Sequence, residues 1–192
     1  NLKDFEKADI IILPGTKATL DDLYELRRNG VAQAVIRAHR NGTLVIGICG
    51  GYQMLGQTIS DPDGIEGSIP QLPGLGLLNM STVMTEEKTT KQVEFEFGGA
   101  LCKGYEIHQG KSLTQEEHVT IDGNCIGTYI HGFLDNPSVI EYILKDKAEK
   151  AEESISDESY EDFKDRQYDL LADYVRKYVD MEKLYEIMTS KP

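Results

Sequence analysis

The sequence predicts an α/β fold: a three-layer, open, mostly parallel sheet with helices on both faces. Two short apolar runs and the material between them carry that prediction. Ala8 to Leu13 (ADIIIL) closes at Pro14-Gly15, and Leu44 to Ile48 (LVIGI) closes at Cys49-Gly50-Gly51. Runs this short, apolar throughout and rich in β-branched residues suit strands covered on both sides, as in a parallel sheet between helical layers. Helical periodicity fills the interval. A strand–helix–strand order requires a crossover, and such crossovers are right-handed in nearly all cases.

The first helix is expected to start at Thr19, which has capping-box spacing to Asp22, and to run through Leu20, Leu23 and Leu26–Arg27. Asn29-Gly30 breaks it. A second helix places Val31, Ala34, Val35 and Ala38 on one face and stops at Asn41-Gly42. From Ser60 to His108 the pattern changes. Gly and Pro punctuate Asp61 to Gly76, and the runs Leu75–Leu78, Ser81–Thr85, Gln92–Phe97 and Tyr105–His108 read as antiparallel or mixed strands. Ile126 to Ile130 is a further strand, ending at His131-Gly132. The remainder, from about residue 145 to 192, is a helical C-terminal extension. Within it Lys145 to Asp165 reads as solvated helix and linker, and Arg166 to Met188 as one helix with Tyr168, Leu171, Ala172, Val175, Tyr178, Val179 and Leu184 near one face.

Length and composition set limits. The chain has 192 residues, enough for one core, so residues 1–192 are taken as a single domain. It starts without Met and enters an apolar run within ten residues, which suggests a segment of something longer. A formal net charge of −13 argues against a nucleic-acid partner. No apolar run approaches the roughly 18 residues that cross a bilayer. A cytoplasmic protein without a membrane role is expected. Cys49, Cys102 and Cys125 show no pairing or metal-ligand spacing, so free thiols and no metal site are expected.

One segment carries chemistry. Gly47-Ile48-Cys49-Gly50-Gly51 places a thiol directly after a buried strand, with small residues on either side. This is the sulfur counterpart of the G-x-S-x-G nucleophile elbow, where a tight strand-to-helix turn projects the nucleophile. A cysteine opening a helix is expected to feel the positive end of the helix dipole, which lowers its pKa. The N–H of Gly50 then points where an oxyanion forms, and Pro14-Gly15 offers a second N–H at the same sheet edge. A thiolate nucleophile also needs an acid/base partner. His131 comes directly after a strand, and would share the carboxyl edge with Cys49 if the strands run parallel. His39 and His118 read as surface residues.

Taken together, these residues resemble class I (triad-type) glutamine amidotransferase domains, which have a flavodoxin-like sheet. ILPGTKATLDDL, GICGGYQMLGQTISDPDGIEG, GLGLL, GYEIHQG and GTYIHGFLDNP are similar to the C-terminal glutaminase domain of the cobyric acid synthase family. YDLLADYVRKYVDMEKL resembles that family's closing helix. The resemblance implies that Cys49 attacks the side-chain amide of glutamine with His131 as acid/base. It implies that Gly15 and Gly50 hold the oxyanion and that Gln53 contacts glutamine. It implies ammonia for amidating carboxylates of adenosylcobyrinic acid a,c-diamide in cobalamin biosynthesis. It implies as partner an N-terminal synthetase domain of the same full-length chain, which would bind ATP and Mg²⁺; no cofactor is expected here.

Many triad amidotransferases have a carboxylate two residues after the histidine. Phe133 occupies that position and Asp135 is the nearest downstream acid, so a Cys–His dyad is expected. Glu106 and His108 alternate on a strand, and they line an ammonia exit, face the synthetase or form an ordinary polar strand face with a structural histidine. Lys17 either approaches the glutamine carboxylate or caps its loop. Two other readings compete: a glutaminase subunit of a peptidoglycan-amidating enzyme, and a chaperone-like α/β domain that keeps the elbow without the activity.

Overall fold

The computed structural model describes residues 2–113, 118–151 and 160–189. These fall into two compact units that divide after Phe133. In the first unit β1 (Ile10–Leu13), α1 (Thr19–Arg28), α2 (Val31–Arg40), β2 (Leu44–Ile48) and α3 (Gly50–Leu55) keep the predicted order. Then come β3 (Thr58–Ser60), β4 (Gln71–Pro73), β5 (Ser81–Phe97), β6 (Ala100–Leu113), β7 (Val119–Asp122), β8 (Cys125–Thr128) and β9 (Ile130–His131). The second unit carries α4 (Pro137–Ala151), α5 (Tyr160–Tyr178) and α6 (Met181–Thr189).

The fold is α/β, as expected. One sheet has the order β1-β2-β8-β7, in which β1, β2 and β8 are parallel and β7 is antiparallel to β8. A second, mixed sheet has the order β4-β3-β5-β6-β9. Leu20 and Leu23 of α1 and Val35 and Ala38 of α2 pack with Ile11, Leu13, Val45, Tyr52 and Leu55 in one apolar core. Each such buried large side chain contributes about 1.5–3 kcal/mol, against about 0–1 kcal/mol for a surface ion pair such as Arg28–Glu25. Burial, not surface charge, holds these elements together.

Several expectations are corrected. Ile12 of β1 is 47% exposed, so that strand is not covered on both faces here. The runs Ser81–Thr85 and Gln92–Phe97 are one 17-residue strand, because the charged residues between them continue an exposed hairpin past a register shift at Val83/Lys88. Leu75–Leu78 is no strand; Leu75 and Leu78 are buried, and their N–H groups reach Met54 and Leu55 carbonyls. The strand expected over Ile126–Ile130 splits at Tyr129, where the chain leaves β8 for β9 and pairs with β6.

Thr19 does not form a capping box. It is fully buried and its hydroxyl turns to Gln53 and Glu66, while Asp22 bonds instead to the Thr16 hydroxyl. The long helix expected over Arg166–Met188 breaks before Met181, because the Asp180 carboxylate accepts the Lys183 N–H (3.0 Å) and starts a new helix. Leu171, Tyr174 and Tyr178 of α5 are exposed. Of the solvated stretch Lys145–Asp165, residues 152–159 lie outside the described residues. No helix among the described residues is long and apolar enough to cross a membrane.

Candidate active site

The three parallel strands end side by side, and the turns that leave them build the site. β1 leads into Pro14-Gly15, β2 into Cys49, and β8 through Tyr129 into His131. Cys49 has φ 55° and ψ −112°, the only positive φ at a non-glycine among the described residues. That strained strand-to-helix turn has the geometry of a nucleophile elbow. It is held from both sides: the Cys49 N–H donates to the Thr128 carbonyl (2.9 Å) and the Gly51 N–H to the Pro14 carbonyl (3.1 Å). A Cβ on Gly51 would stand 2.0 Å from the Leu13 carbonyl oxygen, so only glycine lets α3 approach β1 this closely.

Gly15 is the meeting point. A Cβ there would lie 3.3 Å from Cys49 Cβ, 3.4 Å from His131 Cε1 and 3.8 Å from Cys49 Sγ. The thiol and the imidazole therefore face one small space that glycine leaves open. Around it lies a cavity of about 600 Å³ lined by Gly15, Thr16, Lys17, Cys49, Gln53 and Glu66 together with Lys88, Ile107, His108, Gln109 and His131. That volume suits a small metabolite.

Electrostatics correct one expectation. Burial pushes the Cys49 thiol pKa up; the Gly50 N–H opposes this and the Glu66 charge adds to it. The predicted lowering fails because α3 is only six residues long and the sulfur is withdrawn from water. The thiol lies 3.7 Å from the Ile107 carbonyl as donor. Burial also lowers the His131 pKa, and its Nε2 is buried with no hydrogen-bond partner among the described residues. Both shifts favour the neutral forms, thiol and imidazole.

His131 is placed by its strand and by a ring. It is the cross-strand partner of Tyr105, whose ring stacks on it at 5.1 Å and 12°. Phe133, at the position that carries a carboxylate in many triad amidotransferases, is fully buried against Phe95 and Phe97. Asp135 is exposed.

Gln53 lines the cavity, but its amide is occupied within the protein. Its N–H groups donate to the Gln109 carbonyl (2.9 Å) and Tyr129 hydroxyl (3.2 Å), and its oxygen accepts from Thr19 Oγ1 (3.2 Å). The Tyr129 hydroxyl also bonds Ser112, and burial pushes its pKa up to about 12. His108 lines the cavity and stacks on Tyr129 at 3.7 Å. Glu106 is buried, 3.3 Å from Lys91 Nζ and 3.6 Å from His108 Nε2. His118 is no plain surface residue: its Nδ1 stands 3.8 Å from the Glu106 carboxylate. Cys102 and Cys125 are buried thiols outside any disulfide and do not line this cavity.

Sequence reasoning missed Glu66, Thr19 and Lys88. For Glu66 the signal lay in Asp61-Pro62-Asp63-Gly64, an Asp followed by turn residues. Asp61 is buried and its carboxylate accepts the N–H groups of Ile65 (2.8 Å) and Glu66 (2.9 Å), folding the loop back over α1.

Residues 1–139 match the CobB/CobQ-like glutamine amidotransferase domain family. A cobyric acid synthase of Bacteroides fragilis is 52% identical over 98% of this chain, and one of Clostridium perfringens 41% identical over 99%. One from Limosilactobacillus reuteri is 40% identical over 94%. The chain spans about two fifths of the length of these relatives (41%, 42% and 40%). A solved glutamine amidotransferase structure shares the fold with a TM-score of 0.51 at 18% identity, covering 71% of this chain and 78% of that one.

Proposed function

Because the chain belongs to the CobB/CobQ-like glutamine amidotransferase domain family, we propose that it hydrolyses the side-chain amide of glutamine at Cys49 and releases ammonia. The observation that supports this reading is the convergence of Cys49 Sγ and the His131 ring on the open face of Gly15.

The chemistry starts from the resting protonation. Glutamine fills the cavity and displaces water, His131 takes the thiol proton, and the sulfur attacks the amide carbon. The N–H groups of Gly15 and Gly50 receive the oxyanion, and donors fixed before the reaction stabilise it without reorganisation. The tetrahedral adduct collapses as His131 protonates the departing nitrogen. This leaves a γ-glutamyl thioester on Cys49 and free ammonia. His131 then takes a proton from water, the hydroxide attacks the thioester, and glutamate leaves as the thiol is restored. The sum is glutamine plus water giving glutamate plus ammonia.

Gln53 serves as a brace in this reading, since its hydrogen bonds hold Thr19, Gln109 and Tyr129. The ammonia is used elsewhere. By similarity to cobyric acid synthases, the domain serves an ATP- and Mg²⁺-dependent synthetase domain on the same longer chain, which amidates carboxylates of adenosylcobyrinic acid a,c-diamide. The test is labelling by 6-diazo-5-oxo-norleucine in the full-length, ATP-supplied protein. Modification of Cys49 with loss of glutaminase activity is expected; an unmodified Cys49 contradicts the reading.

A further inference from the structure

The cavity beside Cys49 contains charges that the described residues leave uncompensated. Glu66 is half-buried, and no described cation lies within ion-pair distance of it. Its carboxylate accepts the Thr19 N–H at 2.7 Å through Oε2, and Oε1 lies 3.3 Å from Thr19 Oγ1. Thr19 has one hydroxyl proton and two acceptors to serve, the other being Gln53 Oε1 at 3.2 Å. An ionised Glu66 therefore keeps unused acceptor capacity toward the cavity. Burial raises the Glu66 pKa, reinforced by Asp61 and Asp21 and opposed by the Thr19 bonds. A cation arriving in the cavity would relieve that penalty. The fold also holds the carboxylate's backbone in place, because the buried Asp61 pins the Glu66 N–H at 2.9 Å. Lys17 and Lys88 line the same cavity with exposed side chains and no described ion-pair partner.

An anion and two cations around one small cavity complement a zwitterion. Resting on the glutaminase reading above, we propose that Glu66 binds the α-ammonium of free glutamine, with Lys17 and Lys88 supplying charge for its α-carboxylate. Glu66 is then a specificity-determining residue: it admits the free amino acid and disfavours amides whose α-nitrogen is acylated or absent. The side chain to be hydrolysed extends from that head group toward Cys49 and Gly15. No bond to Glu66 is made or broken.

The test uses the full-length protein and three ligands: glutamine, glutaramate (glutamine without its amino group) and N-acetylglutamine. In the wild type, glutaramate and N-acetylglutamine should bind at least about tenfold more weakly than glutamine, the scale of one charge-assisted hydrogen bond. In Glu66→Gln, which keeps an oxygen for the Thr19 N–H, KM for glutamine should rise about tenfold or more with kcat nearly unchanged. The glutaramate inhibition constant should stay put. Equal binding of all three ligands by the wild type overturns the assignment, and needs no variant to fold. So does an equal loss for glutamine and glutaramate in Glu66→Gln, or no loss for either. A wild-type protein that never hydrolyses glutamine overturns the underlying reading instead.

Discussion

The imidazole of His131 lies flat against the Tyr105 ring, 5.1 Å between centroids and 12° between planes. The two residues are also paired across β6 and β9, so backbone register delivers the contact. Among the described residues no carboxylate forms an ion pair with this ring. Stacking and strand pairing hold the ring in place, the task that a carboxylate performs in a Ser-His-Asp triad.

An aromatic pair of this kind is worth about 0.5–1.5 kcal/mol. Tyr105→Ala should therefore lower kcat of glutaminase about three- to tenfold, with KM for glutamine little changed. Tyr105→Phe keeps the ring and should retain near-normal kcat. Steady-state kinetics of the two variants decide it; a Phe variant as impaired as the Ala variant would assign the effect to the hydroxyl.

Installing the missing carboxylate should not help. Phe133 is fully buried between Phe95 and Phe97. Phe133→Glu would strand a charge in that cluster and should cost more than about 3 kcal/mol in urea unfolding, without raising glutaminase activity. Asp135→Ala should leave thioester formation intact. A stable, faster Phe133→Glu enzyme, or an inactive but folded Asp135→Ala, would restore the triad.

The pH dependence of Cys49 is set by its environment. Its pKa is raised from the ordinary 9.0 and that of His131 is lowered, so no thiolate–imidazolium pair is expected in the empty site. Alkylation of the Cys49 peptide by iodoacetamide, read by mass spectrometry, should climb with pH beyond the ordinary thiol range. A plateau between about pH 6 and 8 would show a stabilised thiolate.

Stability carries a second pH signature. His39, His108 and His131 all have pKa values lowered from 6.5, with burial the leading cause. Below that value the unfolded chain takes up protons that the folded chain refuses. Stability contributed by the neutral rings is thus present above pH 6.5 and lost as pH falls toward their folded pKa values. Urea midpoints measured downward from pH 7 should decline through this window; constant midpoints would contradict burial of the neutral rings.

The elbow itself can be weighed. Cys49 holds φ 55°, a region that costs a side-chain-bearing residue about 1–3 kcal/mol, against about 0.5–1 kcal/mol of extra chain entropy for glycine. Both Cys49→Gly and Cys49→Ala should be inactive, and the glycine variant should be the more stable by about 1 kcal/mol. Denaturant unfolding compares them. An alanine variant at least as stable would mean that the turn stores no strain.

Much of this was legible in the sequence because it is local. Short apolar runs ending in Pro14-Gly15 and Cys49-Gly50 announce strands with a site at their ends, and the breaks at Asn29-Gly30 and Asn41-Gly42 bound α1 and α2. Parallel strand order predicts that Gly15 and Cys49 meet, whereas His131 joins them from β9 after the chain changes sheets at Tyr129. The hidden features are long-range. The Thr19 hydroxyl reaches Glu66, 47 residues on, a pairing that outweighs the local capping pattern. The β5–β6 hairpin hides because its charged middle breaks the apolar alternation. Tyr129, where the chain changes sheets, sits in an apolar run that reads as one strand. The rise in the Cys49 pKa needs burial, which the neighbouring sequence does not encode.

The most direct test of the account is the covalent state of Cys49 during glutamine turnover. The full-length protein, supplied with ATP and Mg²⁺, is mixed with glutamine, acid-quenched and digested for mass spectrometry. A hydroxylamine-sensitive γ-glutamyl adduct is expected on the Cys49 peptide, absent in Cys49→Ala and formed at least about a hundredfold more slowly in His131→Ala. Wild-type rates of ammonia release from Cys49→Ala, or an adduct on a different residue, would contradict it.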